Sequence, residues 1–211
     1  MMNDKPRLVL GTGNRKKGAE LAVLFAPLGL VVQTLADFPN AIEVDETGAT
    51  FAENATLKAS QQARHLGCWA LGEDSGLMVD ALDGKPGIFS ARFSGDDATD
   101  ASNNALLLER LGSLPLEKRT AHYVCHMTLC NPAGQTMAES EGVCRGRIVF
   151  EPRGENGFGY DPLFELVEYH RTFGQLNPAV KSCLSHRARA SRQLVPQVAR
   201  LLESGQWHGS V

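Results

Sequence analysis

The chain has 211 residues, 43% of them hydrophobic and 21% charged, which describes a water-soluble globular protein with room for one sizeable domain or two closely associated lobes. With 21 basic and 24 acidic residues the net charge is −3, so composition gives no duplex-binding surface, although a few local cations can still hold a small anion. The five cysteines form no CxxC pair and read as free thiols of a reducing cytosol; Met1 to Arg7 is polar and lacks the apolar stretch of a signal peptide, and no run approaches the roughly 20 apolar residues of a membrane span.

Short apolar runs alternate with segments of helical periodicity, the pattern of an α/β protein. Arg7 to Leu10 reads as a buried strand, followed by the turn Gly11-Thr12-Gly13-Asn14. Ala19, Leu21, Ala22, Leu24, Phe25 and Leu28 keep helical spacing up to Gly29, and Leu30 to Leu35 reads as a second strand. Thr50-Phe51-Ala52-Glu53 carries a capping-box pattern, in which Thr50 accepts from the Glu53 amide while Glu53 reaches back. The helix it opens runs to a glycine stop at Gly67. Trp69 to Leu71 is expected to be a strand that ends in an acidic turn, Glu73-Asp74-Ser75-Gly76. A helix fits Asp100 to Leu111. Ala121 to Cys130 alternates as a strand, Asn131-Pro132-Ala133-Gly134 turns the chain, and Gln135 to Glu141 returns as the hairpin partner, continued by Val143 to Val149. A last helix fits Ser185 to Leu202, with Pro196 as the point where it would kink or divide. Together these elements describe a mixed sheet flanked by helices, without repeats or linkers.

Four groups carry chemistry. Thr12-Gly13-Asn14-Arg15-Lys16-Lys17 lies between a strand and a helix, where outward-pointing amides suit phosphate and Lys17 adds a charge. It is neither a Walker A loop nor a dinucleotide fingerprint, since Lys16 stands where the third glycine belongs. Glu73-Asp74-Ser75-Gly76 places acids after a strand, a setting that can hold Mg²⁺ and handle water; the pair Asp45-Glu46 adds further acids. Gly157-Phe158-Gly159-Tyr160-Asp161-Pro162 can present an aromatic ring to a base and a carboxylate to a ring N–H. Ser185-His186-Arg187, preceded by Lys181, puts two donors in the first turn of a helix, where cations oppose the macrodipole and local stability does not explain them. Taken singly, each group is also compatible with a purely structural role. His122 and His126 lie four apart without an obvious third ligand, and neither a zincin motif nor a nucleophile elbow is present.

In order, these groups resemble the inosine triphosphate pyrophosphatase family, whose members are also described as dITP/XTP pyrophosphatases. The match rests on Thr12-Gly13-Asn14-x-x-Lys17, then Thr47-Gly48-x-Thr50-Phe51-x-Glu53-Asn54-Ala55-x-x-Lys58-Ala59, and Glu73-Asp74-Ser75-Gly76-Leu77. It continues through Pro86-Gly87-Ile88-Phe89-Ser90-Ala91-Arg92-Phe93-Ser94-Gly95 to Gly157-Phe158-Gly159-Tyr160-Asp161-Pro162, Lys181 and Ser185-His186-Arg187. It covers nearly the whole chain. The resemblance implies one two-lobed α/β domain over residues 1–211, a mixed central sheet with the substrate cleft between the lobes, a homodimer and a Mg²⁺ requirement. It assigns Thr12, Asn14 and Lys17, in the loop that also contains Gly13, Arg15 and Lys16, and Lys58 of the second motif to the triphosphate. Asp74 becomes the catalytic acid and a metal contact, with Ser75 beside it. Phe158, Gly159, Tyr160 and Asp161 fall at the nucleoside, and Lys181, His186 and Arg187 at the base. The chain departs from the family at Asp45-Glu46, where Glu-Glu is frequent, leaving open which of the two ligates the metal, and at Leu176 to Val180, where acidic residues are usual.

The reaction so implied is attack of water on the α-phosphorus of ITP, dITP or XTP, releasing the monophosphate and pyrophosphate and clearing deaminated purines from the nucleotide pool of the cytoplasm. The 6-oxo group of hypoxanthine or xanthine suits donors such as His186 or Arg187, whereas the adenine amino group would leave them unpaired. Alternatives are a relative acting on pyrimidine or modified nucleotides, and a non-catalytic nucleotide sensor. Neither nucleic acid nor membrane is an expected partner.

Overall fold

The computed structural model describes residues 5–207, so Met1 to Asp4 of the polar N-terminal segment lie outside the described residues. Seven strands form one mixed sheet in the order β2-β1-β3-β4-β5-β6-β7. Strand β1 (Arg7–Leu10) pairs in parallel with β2 (Val31–Thr34) and with β3 (Ala70–Val79). Strands β4 (Thr120–Cys130) and β5 (Thr136–Ile148) form the long hairpin, and β6 (Phe164–Leu166) pairs antiparallel with both β5 and β7 (Arg171–Thr172). The helices are α1 (Arg15–Phe25), α2 (Phe51–Leu66), α3 (Asp100–Leu111), α4 (Pro178–Leu184) and α5 (His186–Glu203).

Local chemistry explains most boundaries. Asn14 caps α1 by accepting from the amides of Lys16 and Lys17 at 3.0 and 3.2 Å. After α1 a short 3₁₀ turn ends at Gly29, whose φ of 67° is the left-handed conformation a glycine stop provides. Thr50 accepts from the Glu53 amide at 3.1 Å, as its spacing predicts. Glu53, however, reaches one residue further back than a capping box requires and accepts from Ala49 N at 2.6 Å, which ties the incoming loop to the helix. Gly67 then closes α2 with φ 63°.

Three expectations change. The acidic tetrad is not a turn: β3 continues through Glu73-Asp74-Ser75-Gly76 to Val79, because its carboxylates find cations on the flanking helices and need not reach solvent. The helix α4 was not legible in the apolar pattern; Asn177 caps it by accepting from Ala179 N at 2.9 Å, with Pro178 in the first turn. Pro196 sits inside α5, which runs unbroken past it.

The chain forms two compact units, residues 1–74, 125–142 and 187–211 in one and residues 75–124 and 143–186 in the other. Strands β3, β4 and β5 each begin in one unit and end in the other. The first unit has its own core around Leu8, Leu10, Leu21, Phe25, Trp69, Met127 and Leu194, with the Trp69 and Trp207 rings stacked at 4.1 Å. The second packs Leu77, Leu107, Leu111, Tyr123, Phe164 and Phe173. Within the first unit β3 lies so close to α2 that a Cβ on Gly72 would meet Ala55 O at 2.0 Å and Ala59 N at 2.7 Å. Gly72→Ala is therefore expected to lower stability by about 1–3 kcal/mol, the usual range for overpacking a fitted interior, read as a reduced urea midpoint.

Candidate active site

Successive residues of a strand point to opposite faces, and at Glu73 and Asp74 this alternation sends two neighbouring acids to different partners. The Glu73 side chain, fully buried, accepts from Arg187 Nη2 at 2.8 Å and from the Cys125 thiol at 3.4 Å through Oε1, while Oε2 lies 3.1 Å from Lys17 Nζ. Arg187 in turn gives Nη1 to Glu20 at 2.6 Å. Asp74 faces α2: its Oδ1 is 2.9 Å from Lys58 Nζ and its Oδ2 3.4 Å from Asn54 Nδ2. Burial pushes the Asp74 carboxyl above the ordinary carboxylate range, against the opposing pull of Lys58 and Lys17. Burial also opposes the charge on Lys58, but Asp74 and then Glu46 outweigh it and raise the ammonium above its usual value. Arg187 follows the same logic, with burial outweighed by Glu73.

The phosphate-type loop stands next to these acids. Gly11 N bonds to Leu71 O at 2.8 Å, tying the loop to β3, and Asn14 N bonds to Thr12 Oγ1 at 3.2 Å. Gly13, Asn14, Arg15 and Lys16 are exposed, whereas Lys17 is half-buried against Glu73. Asn14 thus spends its side-chain oxygen on the cap, and Lys17 is the loop residue brought into the acidic cluster.

The loop before α2 supplies a second carboxylate. Glu46 Oε1 lies 3.4 Å from Lys58 Nζ, so Glu46 and Asp74 converge on one ammonium. Asp45 is exposed, and among the described residues its carboxylate makes no hydrogen bond or ion pair. Asn54, fully buried on α2, joins this loop to the strand: its Oδ1 accepts from Gly48 N at 2.8 Å while its amide nitrogen donates to Asp74. A Cβ on Gly48 would meet Asn54 Oδ1 at 2.7 Å, so the glycine is what lets the loop come this near.

The second unit holds the aromatic group. Gly157 and Gly159 adopt φ of 79° and 61°, and the bend returns Phe158 N to Asp161 Oδ2 at 2.8 Å. The same oxygen is 2.7 Å from Lys181 Nζ in a buried pair, and that ammonium lies 4.6 Å from the centroid of the Phe158 ring. Tyr160 is buried and donates its hydroxyl to Ser90 O at 2.9 Å, and burial raises its pKa. His186 stacks on Tyr123 with centroids 4.6 Å apart and planes 11° from parallel. Phe158 and Gly159 also border a cavity of about 520 Å³ whose other wall is α3 at Asp100, Asn104 and Leu108.

Of the residues singled out from sequence, Lys17, Lys58, Asp74 and Glu46 come together in the first unit, and Phe158, Asp161 and Lys181 in the second. Ser75 follows Asp74 on β3, and Ser185 stands between α4 and α5. Four participants were not singled out for these roles: Asn54, Glu73, Glu20 and Tyr123. Asn54 had a signal, a polar side chain in the buried phase of α2; Glu20 and Tyr123 had none, since their partners are remote in sequence. His122 and His126 face Asp80 and the pair Glu139 and Glu141 at 3.7–3.8 Å, and no group of three or more metal-ligating side chains occurs among the described residues.

An α/β sheet with a glycine-rich strand-to-helix loop, two lysines and converging carboxylates defines a protein suited to a polyanionic ligand. The Ham1 family model matches residues 8–197. The chain is similar to the dITP/XTP pyrophosphatase of Rhodopirellula baltica, 49% identical over 96% of this chain and 98% of the relative, and to that of Geobacillus kaustophilus, 48% identical over 90% and 93%. Among solved structures it is similar to a HAM1 protein from Coxiella burnetii, with a TM-score of 0.84 and 37% identity over 92% of this chain and 99% of the other. The Staphylococcus aureus Ham1 protein superposes with a TM-score of 0.81 and 35% identity over 94% and 99%. The chain belongs to the Ham1 family.

The buried Asp161–Lys181 pair gives a direct test of how the second unit is held. Lys181→Met leaves a carboxylate buried without its cation, and stability should fall by about 3–5 kcal/mol, measured by chemical denaturation.

Proposed function

We propose that this chain is a nucleoside-triphosphate pyrophosphatase that hydrolyses ITP, dITP and XTP to the monophosphate and pyrophosphate, and so keeps deaminated purines out of nucleic acids. The single observation that carries the reading is Asp74, a buried carboxylate set between Lys58, Asn54 and the phosphate-type loop. The names of the relatives, dITP/XTP pyrophosphatases matched nearly end to end, support the substrate class.

In this reading Thr12, Asn14, Lys17 and Lys58 bind the triphosphate, with the exposed Gly13-Arg15-Lys16 stretch at the helix start. Asp74 orients a water and takes its proton as the oxygen attacks the α-phosphorus; the bond from that phosphorus to the bridging oxygen breaks and pyrophosphate leaves. A carboxyl raised by burial is a better proton acceptor than an exposed one, which suits that task. Phe158 and Tyr160 pack about the nucleoside, Asp161 and Lys181 accompany them, and His186 and Arg187 donate to the 6-oxo group of the base. Arg187 must then exchange part of its Glu20 and Glu73 pairing for the substrate.

Mg²⁺ fits the acidic cluster. The Lys58 ammonium already sits between two carboxylates, and one or two carboxylates completed by waters and substrate phosphates are what this ion uses. Glu46 and Asp74 would hold it, which favours Glu46 over Asp45. When bound, the ion offsets negative charge on the phosphate oxygens. The family resemblance also supports a homodimer and a cytoplasmic location.

Purified protein with Mg²⁺ is expected to release pyrophosphate from ITP, dITP or XTP at least about a hundredfold faster than from ATP. GTP, dTTP and UTP complete the panel; equal rates throughout would remove the specificity but leave the reaction. Asp74→Asn should lose about a hundredfold or more in kcat while nucleotide still binds in calorimetry, and full activity would exclude Asp74 from the chemistry. Chelation by EDTA should abolish turnover and added Mg²⁺ restore it; activity that survives chelation would refute the metal requirement.

A further inference from the structure

Glu73 is the most buried acid of the site, and its two oxygens serve different clients. Oε2 lies 3.1 Å from Lys17, on the phosphate-type loop. Oε1 accepts from Arg187 at 2.8 Å, at the start of α5. Both Glu73 and Arg187 side chains are at most 1% exposed. Removing this carboxylate takes from Lys17 its counter-charge and leaves Arg187 to Glu20. Glu20 holds the other guanidinium nitrogen at 2.6 Å and the Cys125 thiol donates to Oε1 at 3.4 Å.

We infer that Glu73 is a positioning residue that couples the phosphate grip to base reading, by holding Lys17 and Arg187 on the two oxygens of one carboxylate. This rests on the proposed function, which assigns Lys17 to the triphosphate and Arg187 to the base. Its consequence is mutual dependence. Drawing Lys17 toward phosphate leaves more negative charge on Glu73 for Arg187, and releasing Arg187 to a base leaves more for Lys17. The two contacts are therefore not independent increments of affinity. A correct base adjusts the lysine, and a correct phosphate chain adjusts the arginine. Glu73 touches neither substrate nor water in this scheme; Asp74, on the opposite face of the strand, keeps that part.

Two readouts separate the clients. Inhibition by inorganic tripolyphosphate reports the phosphate grip without a base, and the ratio of kcat/KM for ITP to that for ATP reports base reading. In Glu73→Gln, assayed as the full chain with Mg²⁺, both are expected to deteriorate together by about tenfold, the loss of one charge-assisted contact each. A folded Glu73→Gln protein, by circular dichroism, with wild-type values of both would overturn the inference, as would a shift in one readout alone. If that variant does not fold, Glu73→Asp keeps the charge, withdraws the carboxylate by one methylene and is judged in the same way. Lys17→Met reads the coupling from the accessible end: it should lower the ITP-to-ATP ratio severalfold although Lys17 lies on the phosphate side, and an unchanged ratio would refute the link. Failure of the proposed function is distinguishable, because the unmodified protein would then show no ITP hydrolysis or no preference in the same assays.

Discussion

Two neighbouring carboxylates buried in the middle of one strand are the constraint around which the first unit is arranged. Acids in a sheet interior are tolerated only with cations and donors close by. Because β3 alternates its side chains, Glu73 and Asp74 cannot share the same partners: one draws on α1 and α5 through Lys17 and Arg187, the other on α2 through Lys58 and Asn54. Three helices are thus tied to a single dipeptide. The glycine just before it, Gly72, brings β3 against α2 closely enough for Lys58 and Asn54 to reach.

That arrangement leaves the proposed reacting groups largely organised before a ligand binds. Asp74 is held on both oxygens, and the lysines are already directed to the carboxylates next to which phosphates and a divalent ion are expected to arrive. A site whose charges are already paired changes partners on binding and need not create them, and preorganised dipoles and charges are the larger part of phosphoryl-transfer catalysis. The second unit follows a similar rule with fewer charges. Asp161 is paired with Lys181, and the Phe158 ring lies beside that ammonium, so an ion pair and two glycines help shape the loop while Tyr160 anchors it in the core.

Membership of the Ham1 family accounts for why these groups recur in this order. The physics of the individual positions accounts for what they do. The aspartate at position 45 is exposed, while Glu46, the longer acid beside it, reaches Lys58. The segment Leu176 to Val180, free of the usual acids, enters α4 through an asparagine cap and a proline, and still delivers Lys181 to Asp161.

Much of this was legible in the residues. The strand Arg7–Leu10, the helix Asp100–Leu111, the glycine stops at Gly29 and Gly67 and the hairpin turn at Asn131 depend on local periodicity and capping, which act between near neighbours and are written in adjacent letters. The groups proposed to carry the chemistry were legible as well, because phosphate and base recognition demand particular side chains at short spacings. Tertiary structure alone decided that the acidic tetrad is strand and not turn, that Glu73 binds Lys17 and Arg187, that Glu46 and not Asp45 meets Asp74 across Lys58, and that His186 lies flat on Tyr123. Those outcomes depend on which distant cation is near enough to compensate a buried charge. A separation of 114 residues between Glu73 and Arg187 carries no local signal from which that pairing can be read.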